Sequence, residues 1–300
     1  PKEKYGEINA EKINYPDIEK ASSNEKRYEC IRQRSNFSNI ARNMKFDYRQ
    51  ELKPQDLHDK LAPVMNVAME SGASPKLVSL FEKIEELDRK DMETHGRKFK
   101  HFIFSDVKSR GYGAKIIAAA FIAKGYSLAF GFRKSSIKLL NKNEHPTGMK
   151  DKVFGLLSST SMYKRPTTQK LRKSILEVFN SRPENVHGKD MRFIILDSGF
   201  KEGLDLFDVK YCHLFETPIN IADMKQAVGR GTRTCGQKEL KFIPGKGVKL
   251  NVYTYDLDFS NIKRTDLVPK YRNAFELVLA YSKIDLGLLK FSQEMNNVAI

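Results

Sequence analysis

The stretch Phe193–Leu206 reads FIILDSGFKEGLDL. Its first four residues, Phe193–Leu196, form a short, uniformly apolar run of the kind that is buried on both faces in a parallel sheet. A loop carrying Ser198, Gly199 and Lys201 follows, and then Gly203 and Asp205. In an open α/β sheet, ligands gather at the carboxyl ends of the strands, which is where this loop falls. Ser198, the Gly199 N–H and Lys201 are therefore candidates for contacts to strand phosphates, and Asp205 for accepting from a hydroxyl such as a ribose. By itself the stretch reads equally well as a tight strand-to-helix connection.

Working outward, apolar strand-like runs alternate with helical periodicity. Phe99–Phe104 (FKHFIF) predicts a buried strand, Ala114–Ala123 a helix, and Tyr126–Phe132 and Phe154–Leu157 two further strands. Thr168–Asn180 predicts a helix with Leu171, Ile175, Val178 and Phe179 on one side. Val209–Phe215 predicts a strand, Ile221–Val228 a helix and Lys249–Tyr255 a last strand. Such alternation over about 160 residues predicts an α/β domain with a mostly parallel sheet and flanking helices. Ser74-Pro75 opens a preceding helix, with Pro at its first position and Leu77, Leu80, Phe81, Ile84 and Leu87 at helical spacing. Residues 1–70 have weak periodicity and read as a linker or an inserted helical and irregular region. Residues 71–262 read as the α/β domain, and 263–300 as a helical tail centred on Leu267–Leu289.

At 300 residues with 40% hydrophobic side chains, the chain can bury a sizeable core. No run reaches the roughly 18 apolar residues a spanning helix needs, so no membrane partner is expected. Three cysteines without a CxxC pair give neither a zinc ribbon nor a disulfide framework. Six histidines without HExxH spacing give no metal site. A reducing, intracellular setting follows. The formal net charge is +16, and residues 1–70 contribute only +1 of it, from 13 basic and 12 acidic side chains. A field of that sign over the remaining residues favours a polyanion, or else is a solvated basic surface. A chain that opens on Pro1 reads as a piece of a longer polypeptide.

The segment most informative about chemistry is Gln226–Arg233, QAVGRGTR. Arg230 and Arg233, three apart at a helix end, can present planar guanidinium groups to phosphate oxygens, and Gly229 and Gly231 leave the backbone bare for a close anion. Further upstream, Phe102–Gly113 (FIFSDVKSRGYG) repeats the pattern of an apolar strand ending in a serine, Ser105, before a basic Gly-containing loop. Gly155–Thr160 (GLLSST) places Ser158 and Ser159 at another strand end, ahead of a helix with Arg172, Ile175, Phe179 and Asn180.

The order and spacing of these four blocks resemble the C-terminal RecA-like lobe of superfamily 2 helicases and translocases. Ser105 looks like motif IV, Gly155–Thr160 with its helix like motif IVa, and Ile195–Leu206 like motif V. Gln226–Arg233 matches motif VI, QxxGRxxR, at every fixed position. The neighbourhood FETPIN…KQAVGRGTR looks closest to helicases of large cytoplasmic DNA viruses, of the poxvirus and asfarvirus type, which include early-transcription-factor ATPase subunits.

The resemblance implies a cleft in which ATP with Mg²⁺ binds between this lobe and an N-terminal RecA-like lobe. It implies Arg233 as the arginine finger with Arg230 beside it, Gln226 near the nucleotide, and Gly203, Asp205 and Gly229 lining the nucleotide side. It also implies that Ser105, Ser158, Ser159, Ser198, Gly199 and Lys201 touch the backbone of a DNA or RNA strand. Viral transcription proteins would be the partners, and the virion and host cytoplasm the setting. Neither GxxxxGK[ST] nor a DExH or DEAD stretch occurs, and Glu85-Glu86 falls on a solvated helix face. The 300 residues thus carry half an active site and are expected to be inactive alone. The alternative is a RecA-like module that binds nucleic acid or a transcription partner without hydrolysis.

Overall fold

In the computed structural model the described residues are 31–37, 62–107, 112–133, 136–146, 148, 151–159, 168–200, 204–217, 221–231, 236–240, 247–259 and 271–281. The order is α1 (Ala62–Glu70), α2 (Pro75–His95), β1 (Lys100–Ser105), α3 (Ala114–Ala123), β2 (Ser127–Leu128), β3 (Phe130–Arg133), β4 (Ser136–Leu139), β5 (Val153–Leu157), α4 (Gln169–Phe179), β6 (Phe193–Asp197), β7 (Val209–Leu214), α5 (Ile221–Val228), β8 (Asn251–Thr254) and α6 (Ala274–Tyr281). Residues 31–36 are also helical.

Six strands form one sheet in the order β2-β5-β6-β1-β7-β8, and every pairing in it is parallel. The central strands β1, β5 and β6 are buried along their whole length, β5 and β6 through their apolar runs and β1 with Lys100 donating to the Phe179 carbonyl at 2.8 Å and His101 meeting His213 at 2.9 Å. β8 alternates between half-buried and exposed residues, as an edge strand does. α3 is apolar all round, so it is covered on more than one side, by α1 and by β2 and β6. α4 carries Leu171, Ile175 and Phe179 on its buried face, and Thr168 Oγ1 caps it by accepting from Leu171 N at 3.2 Å. α2 begins at Pro75 and ends at Gly96, whose φ of 63° allows its N–H to reach the Met92 carbonyl.

The predicted strand Tyr126–Phe132 is broken in two. Ala129 N–H still donates to Phe154 O of the main sheet, but the Ala129 carbonyl accepts from Leu140 N, and the chain turns there into the antiparallel β3–β4 hairpin. β4, with its Lys138 and Ser136, carried too little apolar signal to be read. Of the predicted tail helix, α6 covers Ala274–Tyr281; residues 271–273 are not helical, because Asn273 forms an antiparallel bridge with Asp258, and the rest lies outside the described residues. The hydrophobic core does not stop at residue 71: Phe37, Met65, Ala68 and Met69 share it with the strands. No helix among the described residues is long and apolar enough to cross a membrane.

Candidate nucleic-acid and nucleotide interface

The chain leaves β1 toward β2 at one edge of the sheet and leaves β7 toward β8 at the other. The strand order therefore reverses at the β1–β7 boundary, the place in an open sheet where a crevice forms beyond the carboxyl ends. Ser105 ends β1 there, fully buried, and its hydroxyl donates to Glu216 Oε1 at 2.8 Å. Glu216, just beyond β7, also accepts from Asp106 N at 2.8 Å and from Asn36 Nδ2 at 2.5 Å. Asn36 is itself fully buried, donates to Tyr112 O, and accepts from Lys76 Nζ at 2.8 Å through its side chain and from Ser74 Oγ through its carbonyl. An Arg32–Asp106 ion pair of 2.9 Å closes the network. Burial pushes the Lys76 ammonium down to about 8, against the opposing pull of the Glu216 charge.

One strand pair away, Asp197 gathers the next two loops. Its Oδ2 accepts from Ser158 Oγ at 2.9 Å, Ser159 N at 2.6 Å and Ser159 Oγ at 3.0 Å, and its Oδ1 accepts from Gly199 N at 2.9 Å. A Cβ on Gly199 would stand 2.0 Å from the Ser159 Cβ, so only glycine lets the loops after β5 and β6 approach this closely. Ser198 Oγ donates to the Asp106 carbonyl at 3.2 Å, joining this edge to β1. Burial lowers the Lys115 ammonium from its ordinary range, and the Asp197 charge opposes that shift.

The loop at 204–208 is held from both sides. Asn180, at the end of α4, donates from Nδ2 to Asp205 O and accepts from Phe207 N at Oδ1, both at 2.8 Å. Arg182 makes a two-pronged ion pair with buried Asp208, at 2.7 and 2.9 Å, and donates to Gly236 O at 2.6 Å. From the other side, Leu206 N donates to the Arg230 carbonyl at 3.1 Å, and Arg230 Nη1 reaches Leu204 O at 3.4 Å. Arg230 is only 1% exposed. A Cβ on Gly229 would stand 2.8 Å from the Lys225 carbonyl, so glycine permits the tight exit from α5.

Ser105, Ser158, Ser159, Ser198 and Gly199 are therefore brought to neighbouring strand ends, although Ser105, Ser158 and Ser198 are buried and their hydroxyls donate within the protein. Gln226 and Asp205 are exposed. Lys201, Gly203 and Arg233 lie outside the described residues. For ATP with Mg²⁺ the fit is partial: Asp205 and Gln226 are accessible, whereas Arg230 is buried with a guanidinium nitrogen on a carbonyl. Sequence reading missed Asp197, Glu216 and Asn36 as organisers of this edge. A carboxylate directly after a buried apolar strand was the available signal for the first two, and nothing in residues 31–37 marked Asn36.

No family model matches the sequence. Over 116 residues, 38% of the chain, it is 28% identical to an Acanthamoeba polyphaga mimivirus protein described as "Putative ATP-dependent RNA helicase". The chain resembles a C-terminal RecA-like helicase lobe. The matched part is 14% of the length of that viral relative. Among solved structures, the chain is similar to the C-terminal part of the Fun30 ATPase domain, at 14% identity and a TM-score of 0.41, covering 77% of this chain and 55% of that one. It is also similar to the Pyrococcus furiosus Hef helicase domain, at 16% identity and a TM-score of 0.31, covering 64% of this chain and 27% of that one.

Proposed function

We propose that residues 71–262 form the second motor lobe of an ATP-dependent nucleic-acid helicase or translocase, with 263–300 as a helical tail. The observation that carries this reading is the direct joining of the Gln226–Gly231 segment to the 204–207 loop through Arg230 and Leu206. That junction makes one unit of the Gln226–Gly231 segment and the loop that carries Asp205, the two segments assigned to the nucleotide side. Arg233 is the arginine finger, and Arg230 braces the turn beneath it. Gln226, Gly203, Asp205 and Gly229 face the nucleotide. Ser105, Ser158, Ser159, Ser198, Gly199 and Lys201 belong to a track along one strand of DNA or RNA, whose backbone contacts carry little sequence information. A first lobe supplies most of the ATP and Mg²⁺ site, so the 300 residues alone do not turn over ATP. The match to a mimivirus protein described as a helicase supports a viral setting, and the machine proposed is one of transcription or genome processing, within virion and host cytoplasm.

An arginine finger stabilises charge that develops only in the transition state, and in GTPases it is worth about 10³–10⁵ in rate. ATP hydrolysis is measured in the longest polypeptide that contains this chain, wild type beside Arg233→Ala, with and without single-stranded nucleic acid. Stimulated turnover that vanishes in the variant while oligonucleotide binding persists is the expected result. Equal loss of both activities refutes the finger, and turnover by the 300 residues alone refutes the half-site.

A further inference from the structure

The donors at the β5–β6 edge already hold an anion. Two backbone N–H groups, of Ser159 and Gly199, and two hydroxyls, of Ser158 and Ser159, converge from successive strand-end loops on the Asp197 carboxylate. That donor set also suits the oxygens of a phosphodiester. A backbone N–H makes one strong hydrogen bond at a time. A strand phosphate therefore cannot take the Ser159 and Gly199 donors while Asp197 keeps them. The residues on which a phosphate would land are exposed, yet the carboxylate between them is only 2% exposed. Its charge is poorly screened by water, so an approaching phosphate meets a like charge at short range. Lys115, in the first turn of α3, is a cation coupled to the same carboxylate.

We propose that Asp197 is an internal competitor for the strand phosphates: its carboxylate stands where a backbone phosphate binds, and nucleic acid is gripped by exchanging one anion for the other at Ser159 and Gly199. The inference rests on the reading of this edge as part of a strand track. Such an exchange keeps the grip weak and reversible, because each departing phosphate is replaced by a ligand already tethered beside the site. A motor that moves along a strand must release every phosphate it holds.

The full 300-residue chain is titrated, at two salt concentrations, with fluorescein-labelled oligothymidylate and oligouridylate roughly 20 nucleotides long, long enough to span such a track. Wild type, Asp197→Asn and Asp197→Ser are compared by anisotropy. The expected result is salt-sensitive binding by wild type and about tenfold tighter binding by the variants, the equivalent of one charge-assisted hydrogen bond gained by the phosphate. Loss of the negative charge by itself also favours a polyanion, but that gain shrinks as salt rises, whereas freed donors tighten binding at both salt concentrations. Unchanged or weaker binding by a folded variant at the higher salt, with wild-type binding intact, therefore overturns this inference alone. Absence of salt-sensitive binding by wild type overturns the strand-track reading and the inference with it. Should the variants fail to fold, wild type labelled with ¹⁵N at serine and glycine decides. Saturating oligonucleotide shifts the Ser159 and Gly199 amide resonances and leaves that of Gly188, bonded to the Asn185 carbonyl, in place. Unmoved Ser159 and Gly199 resonances in the bound state overturn the proposal.

Discussion

Replacing Glu216 by glutamine removes one charge and almost no volume, yet the cost is expected to be large. The carboxylate accepts from three donors: Ser105 Oγ, Asp106 N and Asn36 Nδ2. A carboxamide offers one acceptor oxygen, and its NH₂ faces at least one donor that then goes unmet. The Ser105 hydroxyl can rotate away, but the Asp106 N–H is fixed by the backbone. One stranded buried donor costs about 1–3 kcal/mol. In addition Lys76, 3% exposed and held down at about 8 by burial, loses the opposing charge that favours its protonated form. Together these place Glu216→Gln at about 3–5 kcal/mol, the range for leaving a buried donor unmet and a buried charge uncompensated. The assay is urea unfolding at pH 7 followed by circular dichroism, with Lys76→Met and the double variant completing a cycle. If the two groups act as a pair, the double variant is more stable than the sum of the single effects by more than about 1 kcal/mol. A cost for Glu216→Gln below about 1 kcal/mol, or strict additivity in the cycle, refutes the reasoning.

Two further outcomes follow from buried polar groups away from the interface. Tyr255 OH, His213 and His101 are hydrogen-bonded in line, with His101 Nδ1 2.9 Å from His213 Nε2; His101 Nε2 lies 3.7 Å from Asp88 Oδ1, beyond hydrogen-bond reach, and Arg192 donates to Asp88 at 2.7 Å. Burial pushes His101 down from 6.5 to about 4 and also lowers His213 well below its ordinary value. The unfolded chain thus binds more protons between those values, and stability, full above about pH 6.5, is lost as pH falls toward about 4. Urea midpoints measured across that window should decline, and His101→Gln should flatten the profile; an unchanged slope would remove His101 from the account. Asn185, fully buried, donates to the Phe179 and Met191 carbonyls and accepts from the Asp190 and Met191 N–H groups. Asn185→Ala should cost about 2–4 kcal/mol by thermal denaturation, and a change under about 1 kcal/mol would show that water replaces the side chain freely.

Much of the fold was legible because it depends on local pattern. FIIL at Phe193–Leu196 is uniformly apolar at strand length, FKHFIF at Phe99–Phe104 is apolar apart from Lys100 and His101, and both lie buried at the centre of the parallel sheet. The bounds of α3 and α5 coincide with the predicted helices, and Thr168 and Asn180 bracket α4. The break at Ala129 was not legible, because it arises from hydrogen bonds to Phe154 and Leu140, partners distant in sequence.

The candidate site divides in the same way. The serines and glycines at strand ends could be found in the sequence, because turn chemistry and strand termination are written in neighbouring residues. Which groups those serines bond to was settled only by tertiary structure. Asp197 takes the Ser158 and Ser159 donors from a loop 38 to 39 residues earlier, and Glu216 takes donors from positions 110 and 180 residues away. A hydrogen bond depends on distance and direction in space, and no periodicity along the chain encodes a partner brought close by the stacking of strands. The sequence by itself determined the alternating α/β plan and the net charge of +16, since both depend only on residue type and spacing. Only the tertiary structure decided that buried carboxylates hold the donors at the strand ends, and that Asn36, from a segment without visible pattern, helps to hold one of those carboxylates in place.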